Sequence, residues 1–176
     1  MEINLYTESE ILYAHFDFAS PHVAASLAEM IVGACFEVQV EHIGSTAVTG
    51  CAGRGVIDLL VRYPSGSLKI ACDALDRLGF QHRSGADSFP ESWPMRVGSV
   101  EYLGRMYRIH AHVVEAGSAE ARDLVRFRDL LRANAGLRRA YEMEKCKILA
   151  RGIMHGSEYS NAKGEFIRGV LSADRF

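Results

Sequence analysis

Three groups of residues have the types and spacing to do chemistry. The first is Gly44-Ser45, followed after twelve residues by Asp58 in the apolar run Val56 to Tyr63. A glycine beside a serine after a strand lets the backbone approach a ligand closely, and the hydroxyl with nearby amides can hold phosphate oxygens. Asp58 stands between Ile57 and Leu59. An ionised carboxylate there must be paired, hydrogen-bonded or bound to a cation. Arg54 or Arg108 can serve, and so can a divalent metal ion. The second group is Arg108-Ile109-His110-Ala111-His112. On a strand, side chains alternate, so Arg108, His110 and His112 share one face and Ile109, Ala111 and Val113 the other. Asp58 and Leu60 share a face in the same way. If the two strands are neighbours in register, one carboxylate and two imidazoles converge, a donor set that suits manganese or zinc better than magnesium. The alternative is a pair of polar histidines facing solvent. The third group lies near the C-terminus. Arg128 and Arg132 are four apart, beside Leu124, Phe127 and Leu131. Lys163 sits among Tyr159, Phe166, Ile167 and Val170 at helical spacing. A lysine in an apolar stripe either snorkels to water or meets an anion.

These residues need a scaffold, and the hydrophobic pattern supplies one. Residues 18–35 read as a helix with Ser20-Pro21 at its start, and residues 36–43 alternate as a half-buried strand. Residues 44–55 are glycine-rich and form a loop. Residues 56–63 suit a central strand and 67–78 a helix ending at Gly79. Residues 79–105, with Pro90 and Pro94, read as irregular with short strands, and 108–114 as a further strand. Three helices follow, over about 118–133, 136–151 and 157–172, separated by Asn134, Gly136, Gly152 and Gly156. This order predicts an α/β (α+β) fold: a small mixed sheet with helices on one side and a helical C-terminal part. One domain over 1–176 is expected, with a sheet-containing core to about 115. His42, just before Gly44-Ser45, is placed to orient that turn. His15, His22, His82 and His155 read as surface or locally bonded residues.

The composition agrees with a folded domain. The chain has 176 residues, 48 % hydrophobic and 24 % charged, with a net charge of −2. Charge is uneven: residues 1–115 carry 8 Lys/Arg against 14 Asp/Glu, a net of −6, and residues 116–176 carry 12 against 8, a net of +4. The basic helical segment should dock on the acidic half or face an anion. The basic residues lack aromatic interleaving, which argues against a nucleic-acid partner. Four scattered cysteines form no C-x-x-C pair, so no zinc ribbon or redox motif is expected. With no basic, apolar leader and no long apolar run, neither a signal peptide nor a membrane span is expected, and the location predicted is cytoplasmic.

The blocks His42-Ile43-Gly44-Ser45-Thr46-Ala47-Val48 with Gly50, and Val56-Ile57-Asp58-Leu59-Leu60-Val61, carry a further signal. So do His110-Ala111-His112-Val113-Val114, Phe127-Arg128-Asp129-Leu130-Leu131-Arg132, and Tyr159 with Lys163 and Phe166-Ile167. In this order they resemble the GrpB-like family of the nucleotidyltransferase superfamily, over about residues 40–170. The resemblance implies a nucleotidyltransferase-like fold but no known reaction. Active members of the superfamily pair Gly-Ser with two carboxylates on the next strand and a third on a later one, around two metal ions. Asp58 matches the first carboxylate; Leu60 stands in place of the second, and His110 and His112 lie where the third is expected. Thr49 replaces a usual proline, and Arg54-Gly55 a usual lysine-proline, which keeps the positive charge in a more flexible loop.

The leading reading of these residues is metal-dependent transfer of a nucleotidyl group from a nucleoside triphosphate to a small acceptor. Gly44 and Ser45 would hold the triphosphate, with Ser45 and Asp58 as the catalytic residues. Arg54, Arg128 and Lys163 would neutralise phosphates. Asp58 with His110 or His112 would hold a divalent ion: magnesium, manganese or zinc. Two alternatives use the same residues: a nucleotide-binding module without transfer activity, and a metal-dependent phosphohydrolase.

Overall fold

The computed structural model describes residues 1–7, 13–82, 94–153 and 156–173. The elements run α1 (Ser20–Ala34), β1 (Gln39–Ile43), a single 3₁₀ turn (Ser45–Ala47), β2 (Ile57–Tyr63), α2 (Leu68–Arg77), β3 (Gln81–His82), β4 (Met95–Tyr102) and β5 (Arg105–Glu115). Helices α3 (Ala119–Ala133), α4 (Ala135–Ala150) and α5 (Gly156–Ala173) complete the chain. Five strands form one mixed sheet in the order β1-β2-β5-β4-β3. β2 and β5 are parallel at its centre, and the other pairs are antiparallel.

The central strands are apolar on one face because a two-helix layer covers it. Ile57, Leu59 and Val61 of β2 and Ile109, Ala111 and Val113 of β5 are fully buried, packed with Val23, Leu27 and Ile31 of α1 and Leu75 of α2. Each of the Val, Leu and Ile side chains among them contributes roughly 1.5–3 kcal/mol by leaving water. The opposite face is covered by the C-terminal helices: Ile43, Leu60 and Val114 pack against Ala121, Leu124 and Val125 of α3. Helices therefore lie on both faces, and the side chains of Asp58, His110 and His112 point into the second layer, not to solvent. Ser118 and Asn134 start α3 and α4 by accepting the backbone N–H of Ala121 and Leu137, the usual way of satisfying exposed first-turn donors.

Two elements differ from the sequence pattern. The strand over 36–43 begins only at Gln39; Phe36 is 87 % exposed, in the turn between α1 and β1. Residues 95–105, part of a stretch expected to be irregular with short strands, form most of an antiparallel hairpin. β4 runs unbroken for 8 residues and turns into β5 through Leu103 and Gly104, both at positive φ (50° and 73°). Such a two-residue turn matches the twist of the strands, but it usually carries asparagine or aspartate before the glycine. Leucine there conceals the hairpin. The N-terminal segment also joins the fold, with Asn4 bridging Ser99 on β4 and Ala14 bridging Gly53. Residues 83–93, and His155, lie outside the described residues.

Candidate functional site

Parallel pairing of β2 with β5 sets Asp58 beside His110 and Leu60 beside His112. The conditional reading of the two strands is therefore realised: one carboxylate and two imidazoles converge. His110 Nδ1 lies 3.5 Å and His112 Nε2 3.6 Å from the same oxygen, Asp58 Oδ1. Burial works against ionisation of Asp58, but the two imidazoles outweigh it and hold the carboxyl well below the usual carboxylate range. Burial likewise keeps His110 below the ordinary imidazole value, with Asp58 pulling the other way. Arg54 and Arg108, considered as partners for Asp58, make no ion pair with it; Arg108 instead donates to the Arg54 carbonyl at 3.3 Å. Leu60 is fully buried in the α3 contact, so the place of a second carboxylate is occupied by core.

Gly44 ends β1 at φ +71°, and a Cβ there would overlap the Asp58 carboxylate. The glycine is thus required twice, by its conformation and by the close approach of the carboxylate. His42 orients the turn as anticipated. Its Nε2 lies 2.9 Å from Thr46 Oγ1, and that hydroxyl donates to the Val56 carbonyl, also at 2.9 Å. The threonine proton being committed, His42 Nε2–H donates. Burial lowers the His42 pKa to about 4, so the ring is neutral at pH 7.

The loop between β1 and β2 is held from above by the basic helices. Arg132 donates through two nitrogens to the Ala47 carbonyl at 3.0 and 2.9 Å. Arg138 donates to the Thr49 carbonyl at 2.9 Å, and Glu142 accepts the Ala52 N–H at 2.7 Å. Arg128 donates to Glu41 and the His42 carbonyl at 3.0 Å each and to Asp129 at 2.8 and 3.1 Å. All three of its guanidinium nitrogens are engaged. Arg128 lines the cleft, and in this structure its geometry is that of a clamp between α3 and β1.

The sequence reading passed over one cation. Lys145, 1 % exposed on α4, donates to Ser45 Oγ at 3.3 Å and to the Ala52 carbonyl, with Cys51 Sγ at 3.6 Å. A signal was available. Tyr141 and Ile148 flank Lys145 at i−4 and i+3, the same pattern that marks Lys163 with Tyr159 and Phe166. In both pairs the ammonium stands 4.6 Å from the tyrosine ring centroid. The Arg54 guanidinium also lies over the Tyr159 ring, 5.0 Å from its centroid. Burial, then repulsion from Arg54, lowers the Lys163 pKa to about 7. Tyr159 is fully buried, and its hydroxyl has no hydrogen-bond partner among the described residues.

Together these groups line a cleft of about 220 Å³ between the sheet and α3–α5, with Gly44, Ser45, Arg54, Asp58, His110, His112 and Lys163 in its wall. A narrow crevice lined by Ser45, Arg54, Lys145, Tyr159 and Lys163 adjoins it. The arrangement is one carboxylate facing several cations and a hydroxyl, suited to a polyanion that carries its own cation. Among the described residues no three His, Cys, Asp or Glu side chains are grouped as a complete metal site. Asp58 Oδ1 with one imidazole does fit as half of one. Two ligands of a tetrahedral ion at about 2.0–2.1 Å stand about 3.3 Å apart. The described cysteines form no disulfide, and no helix among the described residues is long and apolar enough to cross a membrane.

Comparison with known proteins bears on the family and the fold. A UPF0157 protein of Streptomyces coelicolor is 33 % identical over 137 residues, 77 % of this chain and 68 % of that one. A UPF0157 protein of Halalkalibacterium halodurans is 31 % identical over 135 residues. In that second case the match spans 76 % of this chain and 66 % of the relative, so the aligned stretch covers about two thirds of both relatives. The glutamate-rich protein GrpB of Alkalihalophilus pseudofirmus is 27 % identical over 97 % of this chain and 95 % of its own. Among solved structures, the conserved protein GrpB from Enterococcus faecalis superposes with a TM-score of 0.64 at 18 % identity, covering 91 % of this chain and 99 % of that one. Cid1, an RNA terminal uridylyl transferase, superposes with a TM-score of 0.52 at 15 % identity, covering 78 % of this chain and 43 % of Cid1. The fold is nucleotidyltransferase-like. Residues 13–173 match the family described as GrpB protein, and the chain belongs to that family.

Proposed function

We propose that the protein binds a nucleoside triphosphate and transfers its nucleotidyl group to a small acceptor. The observation that carries this reading is the convergence of Ser45, Asp58, Arg54, Lys145 and Lys163 on one cleft and its adjoining crevice. An acidic N-terminal half would repel phosphates; the cations that offset it come from the loop after Ser45 and from α4 and α5. The buried Tyr159 hydroxyl supports a polar occupant of the crevice, since leaving it unpaired costs about 1–3 kcal/mol. Asp58 and His112 would hold a divalent ion such as manganese or zinc, with phosphate oxygens completing its coordination. When bound, that ion would supply charge neutralisation at the phosphate. His110, held between Asp58 and Tyr6, stays in place beside it.

A second reading, a binding module without transfer, is favoured by one observation: Leu60 is fully buried in apolar contact where a second carboxylate would be needed. One experiment separates the readings. The protein is incubated with labelled ATP, GTP, CTP and UTP and with manganese, zinc or magnesium. Pyrophosphate release supports transfer, orthophosphate release means hydrolysis, and binding with neither product means a module. Absence of binding to every nucleotide would overturn all three.

A further inference from the structure

The buried lysine of α4 is set against a serine. Gly44 ends β1 at φ +71°, and Ser45 opens the 3₁₀ turn beyond it. A sharp turn straight after a strand is one way serine nucleophiles are held with the hydroxyl exposed at the end of a sheet. Lys145 Nζ lies 3.3 Å from Ser45 Oγ, beside the Ala52 carbonyl and 3.6 Å from Cys51 Sγ. Gly53 closes over the pair: a Cβ there would stand 3.1 Å from Ser45 Oγ and 3.3 Å from Lys145 Nζ. The two carboxylates next to Lys145 on α4 are turned elsewhere, Glu142 to the Ala52 N–H and Glu144 to Lys147. Burial pushes Lys145 below the ordinary lysine range, with the Cys51 thiol pulling the other way. A neutral amine in this place has a use for each of its groups. Its two N–H face the Ala52 carbonyl and Cys51 Sγ, and its lone pair faces the Ser45 proton. A hydroxyl beside an unprotonated lysine is one of the arrangements that activate a serine. Ser45 lines both the cleft and the crevice, and Arg54 and Lys163 stand in the walls of both with it. A phosphate drawn between those cations comes up against the Ser45 hydroxyl.

We infer that Ser45 is the nucleophile of the transfer and Lys145 its base, so that the nucleoside monophosphate is carried on Ser45 before it reaches the acceptor; this rests on the transfer reading above. In the first step, the Ser45 oxygen attacks the α-phosphorus of the bound nucleoside triphosphate, forming a phosphodiester bond. The bond from that phosphorus to the α–β bridging oxygen breaks, and pyrophosphate leaves with the electron pair. The Ser45 proton passes to Lys145 Nζ. In the second step, the acceptor attacks the same phosphorus and gives up its proton to water. The bond from Ser45 to phosphorus breaks, and the Ser45 oxygen keeps the electron pair and recovers its proton from the Lys145 ammonium.

The test mixes the protein with each of the four nucleoside triphosphates and manganese, adds no acceptor, and quenches the mixture rapidly in acid. Intact-mass measurement and peptide mapping follow. The expected result is a burst of one pyrophosphate per chain, with one nucleoside monophosphate per chain mapped to Ser45. Ser45→Ala should give neither. Lys145→Met, which keeps the length of the side chain, should slow the burst about a hundredfold, the usual weight of a positioned base, and leave its final amplitude at one per chain. Loss of amplitude at an unaltered rate would make Lys145 a structural support of Ser45 and refute its role as base. Both variants are checked for fold by circular dichroism, and mapping of the unaltered protein needs no variant at all. If calorimetry shows nucleotide bound but neither burst nor adduct forms, the inference is overturned while the proposed function stands. An adduct mapped to another residue also overturns it. No nucleotide binding would overturn both readings together.

Discussion

Lys163 and Lys145 repeat one local pattern, tyrosine four residues before a lysine that lies over its ring, and they differ in what the ammonium meets. Lys145 is committed to Ser45 and the Ala52 carbonyl, so it positions the serine. Lys163 has a pKa lowered to about 7 by burial and by Arg54, which leaves it ready to gain a proton when an anion arrives. Nucleotide affinity of Lys163→Met should fall about tenfold, the loss of roughly 1.4 kcal/mol of charge-assisted contact. At pH 8 the unaltered protein should take up a proton on binding, because a nearby phosphate raises the lysine pKa. Calorimetry in buffers of different ionisation enthalpy measures that uptake, and Lys163→Met should abolish it. Equal uptake in both proteins would assign the proton to another group. Gly44 is the second decisive residue. Alanine there meets both a positive φ and the Asp58 carboxylate, so Gly44→Ala should cost about 1–3 kcal/mol in urea melts and remove nucleotide binding. A variant of unaltered stability would show that the turn can relax.

At the scale of elements, the notable feature is how the loop between β1 and β2 is held. A glycine-rich loop with few side chains of its own cannot bury itself, and its carbonyls need donors. Arg132 and Arg138 supply them from α3 and α4, Arg128 does the same for His42 near the end of β1, and Glu142 accepts the Ala52 N–H in return. The basic helical segment thus docks on the acidic half, one of the two roles its charge allowed, while Lys163 retains the other. Arg132→Met should cost about 1–2 kcal/mol of stability, since the Ala47 carbonyl loses both charged donors. It should also weaken nucleotide binding, because the same loop carries Ser45. Arg139→Met, on an exposed position of α4, should stay within about 0.5 kcal/mol. Equal effects of the two changes in chemical denaturation would remove the clamp as an explanation.

For the whole molecule, the coupling between site and fold shows in acid. His42 holds Thr46 and, through it, the strand entry at Val56, and its pKa falls from an ordinary 6.5 to about 4 on folding. The unfolded chain therefore binds more protons than the folded one between those values. Stability should fall as pH drops from about 6.5 to 4, and be restored above 6.5. Thermal melts of the unaltered protein and His42→Gln across this range check it: the variant should lose that part of the slope. A parallel pH profile for both would rule His42 out. Since Thr46 follows Ser45, acid should loosen the turn that carries Ser45.

The sequence by itself determined the helices, the central strands and the side chains that share a face, because these follow from periods of 3.6 and 2 that need no knowledge of neighbours. It placed His110 with His112, and Asp58 with Leu60, and it marked Lys163 by its apolar company. Only the tertiary structure decided that β2 and β5 are parallel neighbours in a register that sets Asp58 beside His110. Strand order is a long-range choice, and no local pattern encodes it. Tertiary structure also sorted the cations. Arg128 and Lys163 look alike along the chain, yet one is consumed by Glu41, Asp129 and a carbonyl while the other faces the cleft, because only packing of α3 and α5 on the sheet fixes which acceptors each can reach. Tyr6 and Lys145 were hidden for the same reason: their partners, His110 and Ser45, lie about a hundred residues away in the chain. The β4–β5 hairpin was hidden for a local one, a leucine held at positive φ by the strand pairing on either side of it.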